Sequence, residues 1–393
     1  MRRLLSPSLG LFSAATGLLL ISRDEDNVLR PLQIVINELS WVSAAVGVVA
    51  IIAGTITRPR SWLGVLSGIF GTAVSLKPFV VHRAVAEDMA SAMRAGLGRD
   101  YETQIPPIIR RRLQPSVWSW RHAFGERHRE VHAHITTDIP YACPDGKSLK
   151  LDVYQPVEPP AVGTSYPAVI VVHGGGWRNG DKSDYFVWNN RYLASLGYVV
   201  FDIQYRLSPQ SQWPAQLRDI HAAVRWVKSH AEAYQIDKTR IALLGRSAGA
   251  HLALMAAFRA EEAEQVQAVI SFYGPANMKW ESLASDSPIV ELIGGRWEDL
   301  PAEYTDANPL DWVRDDLPPL LVIEGGMDTL VPNIHGDMLR ERFASTNSCY
   351  VLLRLPWARH GFDAVPYGIG SQLVQYHVDR FLAHAFYGRP QSA

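Results

Sequence analysis

A serine lies at the centre of a pentapeptide that can expose a nucleophile. Gly245-Arg246-Ser247-Ala248-Gly249 fits the pattern G-x-S-x-G. An apolar run at 241–244 precedes it, and a helix-forming run at 248–260 follows it. This order predicts a strand, a tight turn and a helix, with Ser247 at an exposed corner where glycines relieve the crowding. A serine held in this way can attack an acyl carbon.

A glycine-rich run follows a second apolar stretch. His173-Gly174-Gly175-Gly176-Trp177 comes directly after the β-rich residues 168–172. Three successive glycines leave their backbone N–H groups unscreened, so these groups can bind an oxygen that becomes negative during acyl transfer. A glycine-rich turn without a ligand is the alternative. A phosphate-binding loop is excluded because no G-K-[ST] follows and the run is not G-x-G-x-x-G.

A nucleophilic serine needs a base, and the base needs an acid that orients it. Asp328 follows the strand-like LPPLLVIEGGM, and His360 follows the apolar residues 350–353. Either residue alone would more often be an ordinary loop residue. Ser247, Asp328 and His360 come in this order along the chain, each just past a predicted strand, and together they predict a catalytic triad.

The elements that must position these residues form an α/β pattern from about residue 138 onwards. Short β-rich runs alternate with helical patterns, as in a mostly parallel sheet covered by helices. Strands are predicted at 149–154, 168–172, 198–203, 241–244, 268–272, 320–323 and 350–353. Helices are predicted at 214–234, 248–260 and 371–385, and residues 277–316 are expected to form an insertion near the functional edge.

Residues 138–388 resemble the hormone-sensitive-lipase-like esterases and lipases of the α/β-hydrolase fold, in the branch that carries HGGGW. The resemblance rests on HGGGW at 173–177, YRLSP at 205–209, WPA at 213–215, GRSAG at 245–249, and on Asp328 and His360. It implies hydrolysis of carboxylic esters without a cofactor or a metal. The substrate would be a small-molecule or lipid ester.

The resemblance also implies which backbone groups stabilise the reaction. The N–H groups of Gly175, Gly176 and Ala248 would form the oxyanion hole. His360 would take the proton of Ser247, and an acyl-enzyme would form and be hydrolysed by water.

Two residues depart from the family pattern and leave the substrate preference open. Arg246 stands where an acidic residue or histidine is common, and Ala250 stands where glycine is frequent. An amidase or peptidase with the same triad is the first alternative. A non-catalytic binding module of the same fold is another, which the presence of Ser247 and His360 disfavours.

The first 82 residues are more apolar than the rest of the chain. Runs at 4–22, 41–57 and 62–81 each approach the ~20 residues that cross a bilayer as a helix. Residues 32–36 are expected to extend the second run across Asn37 and Glu38. The sequence therefore predicts a membrane anchor at 1–82 with two or three transmembrane helices. Three are favoured, although Lys77 and Pro78 weaken the third.

Residues 83–137 form a separate region that is rich in basic and aromatic side chains. Arg110, Arg111 and Arg112 precede Trp118 and Trp120. A membrane-interface segment, a solvated linker and a cap over the active site are the three interpretations. Residues 138–393 are predicted to be the catalytic domain, and the whole chain resembles membrane-anchored carboxylesterases of actinobacteria.

Arginines in the N-terminal region predict the orientation in the membrane. Arg2 and Arg3 precede the first run, and Arg58 and Arg60 lie between the second and the third. The positive-inside rule places both groups in the cytoplasm. With three spans, the protein is expected to be a multi-pass protein of the cell membrane whose catalytic domain is extracytoplasmic. With two spans, that domain would be cytoplasmic.

The overall composition excludes several other classes of protein. The 393 residues contain 38 Lys and Arg against 39 Asp and Glu, a net charge of −1, so nucleic acid is not an expected partner. The two cysteines, Cys143 and Cys349, exclude a disulfide scaffold and a CxxC-type zinc site. The oligomeric state is open at this point.

Overall fold

The computed structural model describes residues 2–23, 28–57, 59–124, 132–160, 163–280 and 287–388. Its strands are β1 (His134–Ala142), β2 (Leu149–Gln155), β3 (Tyr166–Val172), β4 (Val199–Ile203), β5 (Ile236–Arg246), β6 (Ala268–Phe272), β7 (Leu320–Gly325) and β8 (Tyr350–Leu355). They form one eight-stranded sheet in the order β1-β2-β4-β3-β5-β6-β7-β8. Strand β2 is antiparallel to both its neighbours, and the strands from β4 across to β8 are parallel.

This sheet confirms the predicted α/β fold and all seven predicted strands. Strand β1 was not predicted. It lies at the edge of the sheet, most of its residues are exposed, and it contains Asp138 and Pro140. Because an edge strand needs no continuous apolar face and tolerates proline, its sequence lacks the usual signal.

Helices precede the sheet and cover both of its faces. They are α1 (Arg2–Ile21), α2 (Arg30–Glu38), α3 (Ser40–Ile56), α4 (Trp62–Ser75), α5 (Lys77–Leu97), α6 (Tyr101–Gln104), α7 (Pro107–Arg110), α8 (Trp120–Ala123), α9 (Val187–Ser195), α10 (Ala215–Ser229), α11 (Ala248–Phe258), α12 (Pro288–Ile293), α13 (Pro301–Asp306), α14 (Ile334–Phe343) and α15 (Ile369–Tyr387). The predicted helices at 214–234, 248–260 and 371–385 correspond to α10, α11 and α15.

Two apolar clusters lie on opposite faces of the sheet. Side chains of α10, α11 and α14 pack on one face, and side chains of α5, α9 and α15 pack on the other. Every residue of the central strand β3 is buried. A parallel strand covered on both faces has a continuous apolar sequence, which is why the run at 168–172 was recognisable.

Much of the region 83–137 packs against the eight-stranded sheet and its helices. In α5, Met93 is fully buried, and a Cβ on Gly96 would lie 2.5 Å from Val351 of β8. Farther on, the backbone N–H of Gln114 donates to Asp379 of α15 at 3.0 Å. These contacts join the region to the α15 side of the sheet. Residues 125–131 of this region lie outside the described residues.

Helices α1, α3 and α4 pack on one another through small and hydroxyl-bearing residues. A Cβ on Gly71 would lie 2.3 Å from the backbone of Ser13. The hydroxyl of Ser6 donates to the carbonyl of Ala50, and that of Ser13 to the carbonyl of Ser43, both at 2.9 Å. The large apolar side chains are exposed instead, among them Leu5, Leu11, Phe12, Leu18, Val48, Val49, Ile52, Ile56, Leu63, Leu66 and Ile69. Small residues inside and large apolar residues outside are typical of helices surrounded by lipid.

Among the described helices, α4 and α5 together form one helix, Trp62–Leu97, that is long and apolar enough to cross a membrane. Helices α2 and α3 meet the same criterion only as a pair, which is bent by 75°. The apolar part of α1, Leu5–Ile21, is shorter. The structure thus gives weak support for one membrane-spanning helix and does not support the predicted multi-pass anchor. Lys77 and Pro78 begin α5, where a proline is tolerated.

Residues 32–36 do not extend the second apolar run. They belong to α2, which ends at Glu38, and α3 begins at Ser40 in a different direction. Asn37 and Glu38 are buried, and Glu38 accepts hydrogen bonds from the backbone of Gly370 and Ser371 in α15. Residues that bind a folded domain in this way do not face lipid as part of one straight membrane helix with α3. The chain bends between Glu38 and Ser40 instead.

Candidate active site

Ser247 stands at the corner between β5 and α11. Its backbone has φ 54° and ψ −122°, a conformation that residues with a side chain rarely adopt. Close backbone contacts explain the glycines on either side. A Cβ on Gly245 would lie 2.2 Å from the carbonyl oxygen of Gly249, and a Cβ on Gly249 would lie 2.2 Å from that of Val172. The two glycines therefore allow the sharp turn that presents Ser247.

His360 and Asp328 lie beside this serine, where β8 and β7 end at the same edge of the sheet as β5. Nε2 of His360 is 2.9 Å from Oγ of Ser247, and Nδ1 is 2.8 Å from Oδ2 of Asp328. The other carboxylate oxygen accepts the backbone N–H groups of Leu330 at 3.0 Å and Val331 at 2.9 Å. A carboxylate fixed in this way holds the proton on Nδ1 and leaves Nε2 free to accept the serine proton.

The HGGGW run forms the loop after β3 and packs on the serine corner. A Cβ on Gly174 would lie 3.3 Å from Cβ of Ser247. Gly175 has φ +117°, and a Cβ there would lie 2.0 Å from the carbonyl oxygen of Asn179. The N–H of Asn179 donates to the carbonyl of Gly175 at 2.9 Å and closes the turn. Glycine is thus required here by conformation and by space.

Gly176 and Ala248 complete the predicted set of oxyanion donors. Gly176 has φ +60° and follows Gly175 in the same loop. Ala248 is the first residue of α11, where a backbone N–H has no partner within the helix. All three predicted donors lie in the two segments that meet at Ser247.

The predicted insertion at 277–316 contacts the HGGGW loop. A Cβ on Gly176 would lie 3.4 Å from Pro288 of α12. The indole N–H of Trp213 donates to Asp306 of α13 at 2.7 Å, and its backbone N–H donates to Leu292 at 2.8 Å. Residues 281–286 lie outside the described residues. Helix α12 therefore borders the glycine loop, and Trp213 joins α12 to α13.

His251 supports the loop and was not identified from the sequence. The buried indole of Trp177 donates to Nδ1 of His251 at 3.2 Å, and Nε2 of His251 donates to the carbonyl of Ala307 at 2.8 Å. Burial lowers the pKa of His251 to about 4, so the ring is neutral near pH 7 and its Nδ1 can accept the hydrogen bond from the indole N–H. Trp177 consequently faces the interior beneath the loop.

Tyr205, in the YRLSP run, holds the beginning of the same loop. Its ring stacks on His173 with the centroids 4.3 Å apart, and its hydroxyl donates to the carbonyl of His173 at 3.0 Å. The following residue, Arg206, forms a buried ion pair with Asp219 of α10 at 2.8 Å. The motif that carried the family resemblance is therefore a support for the glycine loop.

Arg246 points into the protein and away from the substrate side. It is 3% exposed, and its guanidinium lies 3.8 Å from the centre of the Phe186 ring. Its Nε donates to Asp363 at 2.6 Å and its Nη2 donates to Asn189 at 3.0 Å. The side chain is therefore used in the interior, and the substrate preference that this departure leaves open stays open.

Asp363 joins the strand of the nucleophile to the loop of the base. Besides Arg246, it accepts a hydrogen bond from the hydroxyl of Tyr273 at 2.5 Å. The Tyr273 ring lies 4.5 Å from the ring of His360, centre to centre. No sequence signal identified this pair, since Arg246 and Asp363 are 117 residues apart.

No metal site accompanies this geometry in the described part of the chain. There, no group of three or more His, Cys, Asp or Glu side chains could hold a metal ion. Cys143 and Cys349 are both free thiols.

Comparison with known proteins agrees with this arrangement. The family model described as BD-FAE matches residues 151–343. Esterase LipQ of Mycobacterium tuberculosis is 32% identical over 285 residues, covering 68% of this chain and 66% of LipQ. The probable carboxylic ester hydrolase LipM of the same organism is 29% identical over 374 residues, covering 88% of this chain and 84% of LipM. The chain belongs to the hormone-sensitive-lipase-like esterases and lipases.

Solved structures of this α/β-hydrolase group have the same fold. The native form of esterase Est2 from the planctomycete Thermogutta terrifontis is 25% identical, with a TM-score of 0.54 over 66% of this chain and 95% of Est2. The family predicted from the sequence is thus confirmed, and the relatives named as esterases support the class of carboxylic ester hydrolases for this chain. The additional resemblance to membrane-anchored actinobacterial enzymes stays a prediction.

Proposed function

We propose that this hydrolase cleaves carboxylic esters through Ser247, His360 and Asp328. The observation that carries the proposal is the continuous line of hydrogen bonds from Ser247 Oγ through the imidazole to Asp328, at 2.9 and 2.8 Å. The three groups follow β5, β8 and β7 at one edge of the sheet. A serine, a neutral imidazole and a carboxylate in this order are suited to acyl transfer.

The first half of the reaction forms an acyl-enzyme. As Nε2 of His360 takes the hydroxyl proton of Ser247, Oγ bonds to the ester carbonyl carbon and the carbonyl oxygen becomes negative. Asp328 stabilises the resulting imidazolium through Nδ1–H. The imidazolium then gives its proton to the alkoxide that leaves, and the C–O bond of the ester breaks.

Backbone groups stabilise the negative oxygen in both halves of the reaction. We assign this role to the N–H groups of Gly175, Gly176 and Ala248, which do not need to reorganise as charge develops. Water then attacks the acyl carbon as His360 takes its proton, the bond from the acyl carbon to Oγ breaks, and the imidazolium returns the proton to Oγ of Ser247. The products are a carboxylic acid and an alcohol.

Labelling with a fluorophosphonate and turnover of p-nitrophenyl esters from two to sixteen carbons test the proposal. Ser247→Ala should abolish labelling and lower kcat by about 10⁴ or more. His360→Ala should behave similarly, whereas Asp328→Asn should lose less. Ser229→Ala, a change of an exposed serine on α10, is the control that should leave both readouts unchanged. More than a tenth of the wild-type turnover in Ser247→Ala would contradict the proposal.

Anilide substrates in the same assay address the alternative of an amidase or peptidase. The relatives named as esterases support the ester, and an ester leaving group is the easier of the two to expel. We therefore expect kcat/KM for a p-nitrophenyl ester to exceed that for the matched p-nitroanilide. The reverse ratio would favour the amidase.

We also propose that the N-terminal helices hold the enzyme at the cell membrane with its catalytic domain on the outer side. Helix α4 separates Arg60 from α5, and α5 packs on the catalytic sheet. A crossing by the helix Trp62–Leu97 with Arg60 in the cytoplasm leads to the outer side. Arg58, the other arginine of this loop, lies outside the described residues.

Protease added to intact spheroplasts tests this orientation. We expect degradation of the domain that contains Ser247 before the membrane is permeabilised. A cytoplasmic protein of the same cells is the control for intact membranes. Protection of the domain until detergent is added would place it in the cytoplasm.

A further inference from the structure

Helix α2 has its polar side toward the protein and its apolar side outward. Gln33, Asn37 and Glu38 are buried, whereas Leu32 and Val35 are 48% and 44% exposed. A surface helix of a water-soluble domain has the opposite arrangement, with its apolar stripe facing the core. The exposed side of α2 is therefore suited to an apolar medium.

The polar side of α2 binds elements on both sides of the catalytic histidine. The amide of Asn37 donates to the carbonyl of Trp357, which lies before His360 in the chain. One oxygen of Glu38 accepts the backbone N–H groups of Gly370 at 2.8 Å and Ser371 at 3.1 Å, in the first turn of α15. These bonds fix α2 in relation to the loop that carries His360.

The N-terminal helices also contact the immediate neighbours of this histidine. Arg359 is 1% exposed and donates to the carbonyl of Leu19 near the end of α1 at 3.3 Å. On the other side of His360, a Cβ on Gly361 would lie 3.7 Å from Cδ1 of Ile34 in α2. The catalytic histidine is thus enclosed between segments held by α1 and α2.

A cluster of aromatic rings lies next to α2, around Trp41 at the beginning of α3. Trp41, at the beginning of α3, contacts Trp120 and Phe124 with ring centres 5.7 and 5.3 Å apart. Trp120 stacks on Phe79 of α5 at 5.9 Å. Trp120 and Phe124 are themselves exposed. A cluster of such rings between apolar helices and a water-soluble domain is typical of the membrane–water interface.

The direction of α2 agrees with a position in that interface. It is bent by 75° from α3, which packs on α4, so α2 turns away from the direction of α3. Helices of this kind lie with their apolar side at the boundary between headgroups and acyl chains. Helix α2 contacts α1 and α3, which also carry exposed apolar side chains.

On the basis of the proposed function, we propose that α2 seats the His360 side of the active site on the lipid surface, so that the enzyme takes its ester from the bilayer. The substrate class is an amphipathic carboxylic ester with a long acyl chain held among lipids. Leu32 and Val35 dip into the lipid, and Ile34 lies between the lipid and the catalytic loop. The ester carbonyl of such a molecule lies at the depth of an interfacial helix, beside Ser247.

The test uses the full chain in phosphatidylcholine vesicles with two substrates. p-Nitrophenyl acetate reaches the site from water, and p-nitrophenyl palmitate reaches it from the bilayer. The double variant Leu32→Ser/Val35→Ser should lose tenfold or more of the palmitate rate and keep the acetate rate within twofold. The matched control is Val157→Ser, an equally exposed valine that follows β2 at the opposite edge of the sheet. It should leave both rates unchanged.

Two further measurements address other causes of a lower palmitate rate. One asks whether α2 binds the acyl chain as part of the active-site pocket, and the other asks whether the double variant folds poorly. Palmitate ester dispersed in detergent micelles should be hydrolysed by the double variant at the wild-type rate, and a tenfold loss there would show that α2 binds the acyl chain as part of the pocket. Leu32→Trp, which favours the interface, should keep or raise the vesicle rate even if the double variant folds poorly. A lower vesicle rate for Leu32→Trp, or an unchanged one for a double variant active on acetate, would overturn the proposal. Wild-type enzyme inactive on both esters would instead contradict the proposed ester hydrolysis.

Discussion

Asp363 offers the sharpest test of how the interior supports the active site. Alanine at this position leaves the guanidinium of Arg246, which is 3% exposed, without its carboxylate partner at 2.6 Å. The hydroxyl of Tyr273 loses its acceptor in the same step. Both residues contact the segments that carry Ser247 and His360, so stability and turnover should fall together.

The expected loss of stability follows from the burial of this ion pair. Removing one partner of a buried pair costs about 3–5 kcal/mol, because the remaining charge is left without compensation. For a domain of this size, each kcal/mol lowers Tm by about 2–4 °C, so Asp363→Ala should melt about 6–20 °C below the wild type. We expect kcat toward a short ester to fall by roughly tenfold or more as the serine corner and the histidine loop shift.

The assay is thermal unfolding of the full chain in detergent micelles, followed by tryptophan fluorescence, together with p-nitrophenyl acetate turnover. The exposed pair of Arg83 and Glu87 supplies a matched control, because Glu87→Ala should change stability by less than about 1 kcal/mol. The double variant Arg246→Met/Asp363→Leu should regain most of the lost stability, since an apolar pair carries no uncompensated charge.

A small effect of Asp363→Ala would refute this reasoning. If the variant melted within a degree or two of the wild type, Arg246 would have to find water or another carboxylate, and the buried pair would not join the two catalytic segments. A double variant as unstable as Asp363→Ala would also be inconsistent with uncompensated charge as the cause.

Two other predictions concern the glycine loop and its support. Gly175→Ala should lower kcat by about 10²–10³, because its Cβ would meet the carbonyl oxygen of Asn179 at 2.0 Å and displace a proposed oxyanion donor. Gly146→Ala, which has φ +75° and no atom within 4 Å of the added carbon, is the control that carries only the backbone cost, and equal losses in both variants would contradict the prediction. His251 should make the free energy of unfolding depend on pH, because its pKa is about 4 in the folded protein against 6.5 in the unfolded chain. The stability that neutral His251 contributes is complete above pH 6.5 and is lost as the pH falls to 4, a total of about 3 kcal/mol. Denaturant titrations between pH 4 and 7 should show that the free energy of unfolding changes less with pH in His251→Gln than in the wild type. The same dependence in both proteins would exclude His251 as the cause of the loss of stability.

The sequence by itself predicted the sheet and the proximity of Ser247, Asp328 and His360. Buried parallel strands have continuous apolar runs, and side chains just past such strands emerge at one edge of the sheet. Ser247, Asp328 and His360 each follow such a run, so their proximity followed from the fold class. The edge strand His134–Ala142 lacks an apolar run and was missed for that reason.

Composition also located the apolar helices, but only the tertiary structure showed how they meet the catalytic domain. Runs at 4–22, 41–57 and 62–81 correspond to α1, α3 and α4. The separate direction of α2 depends on Glu38 reaching the N–H of Gly370, 332 residues away. A local pattern reports which residues avoid water, and it carries no information on which distant group a polar side chain will bind.

The same limit applies to the supports of the active site. Arg246, His251 and Asp363 have no special spacing, and their roles depend on which way each side chain points after the sheet and its helices pack. The direction of Arg246 is set by the strained turn at Ser247, and its partner comes from a loop that is distant in sequence. Spacing along the chain thus determined which residues could react. Packing decided which residues hold the reactive residues in place, because burial brings together groups that are far apart in the sequence.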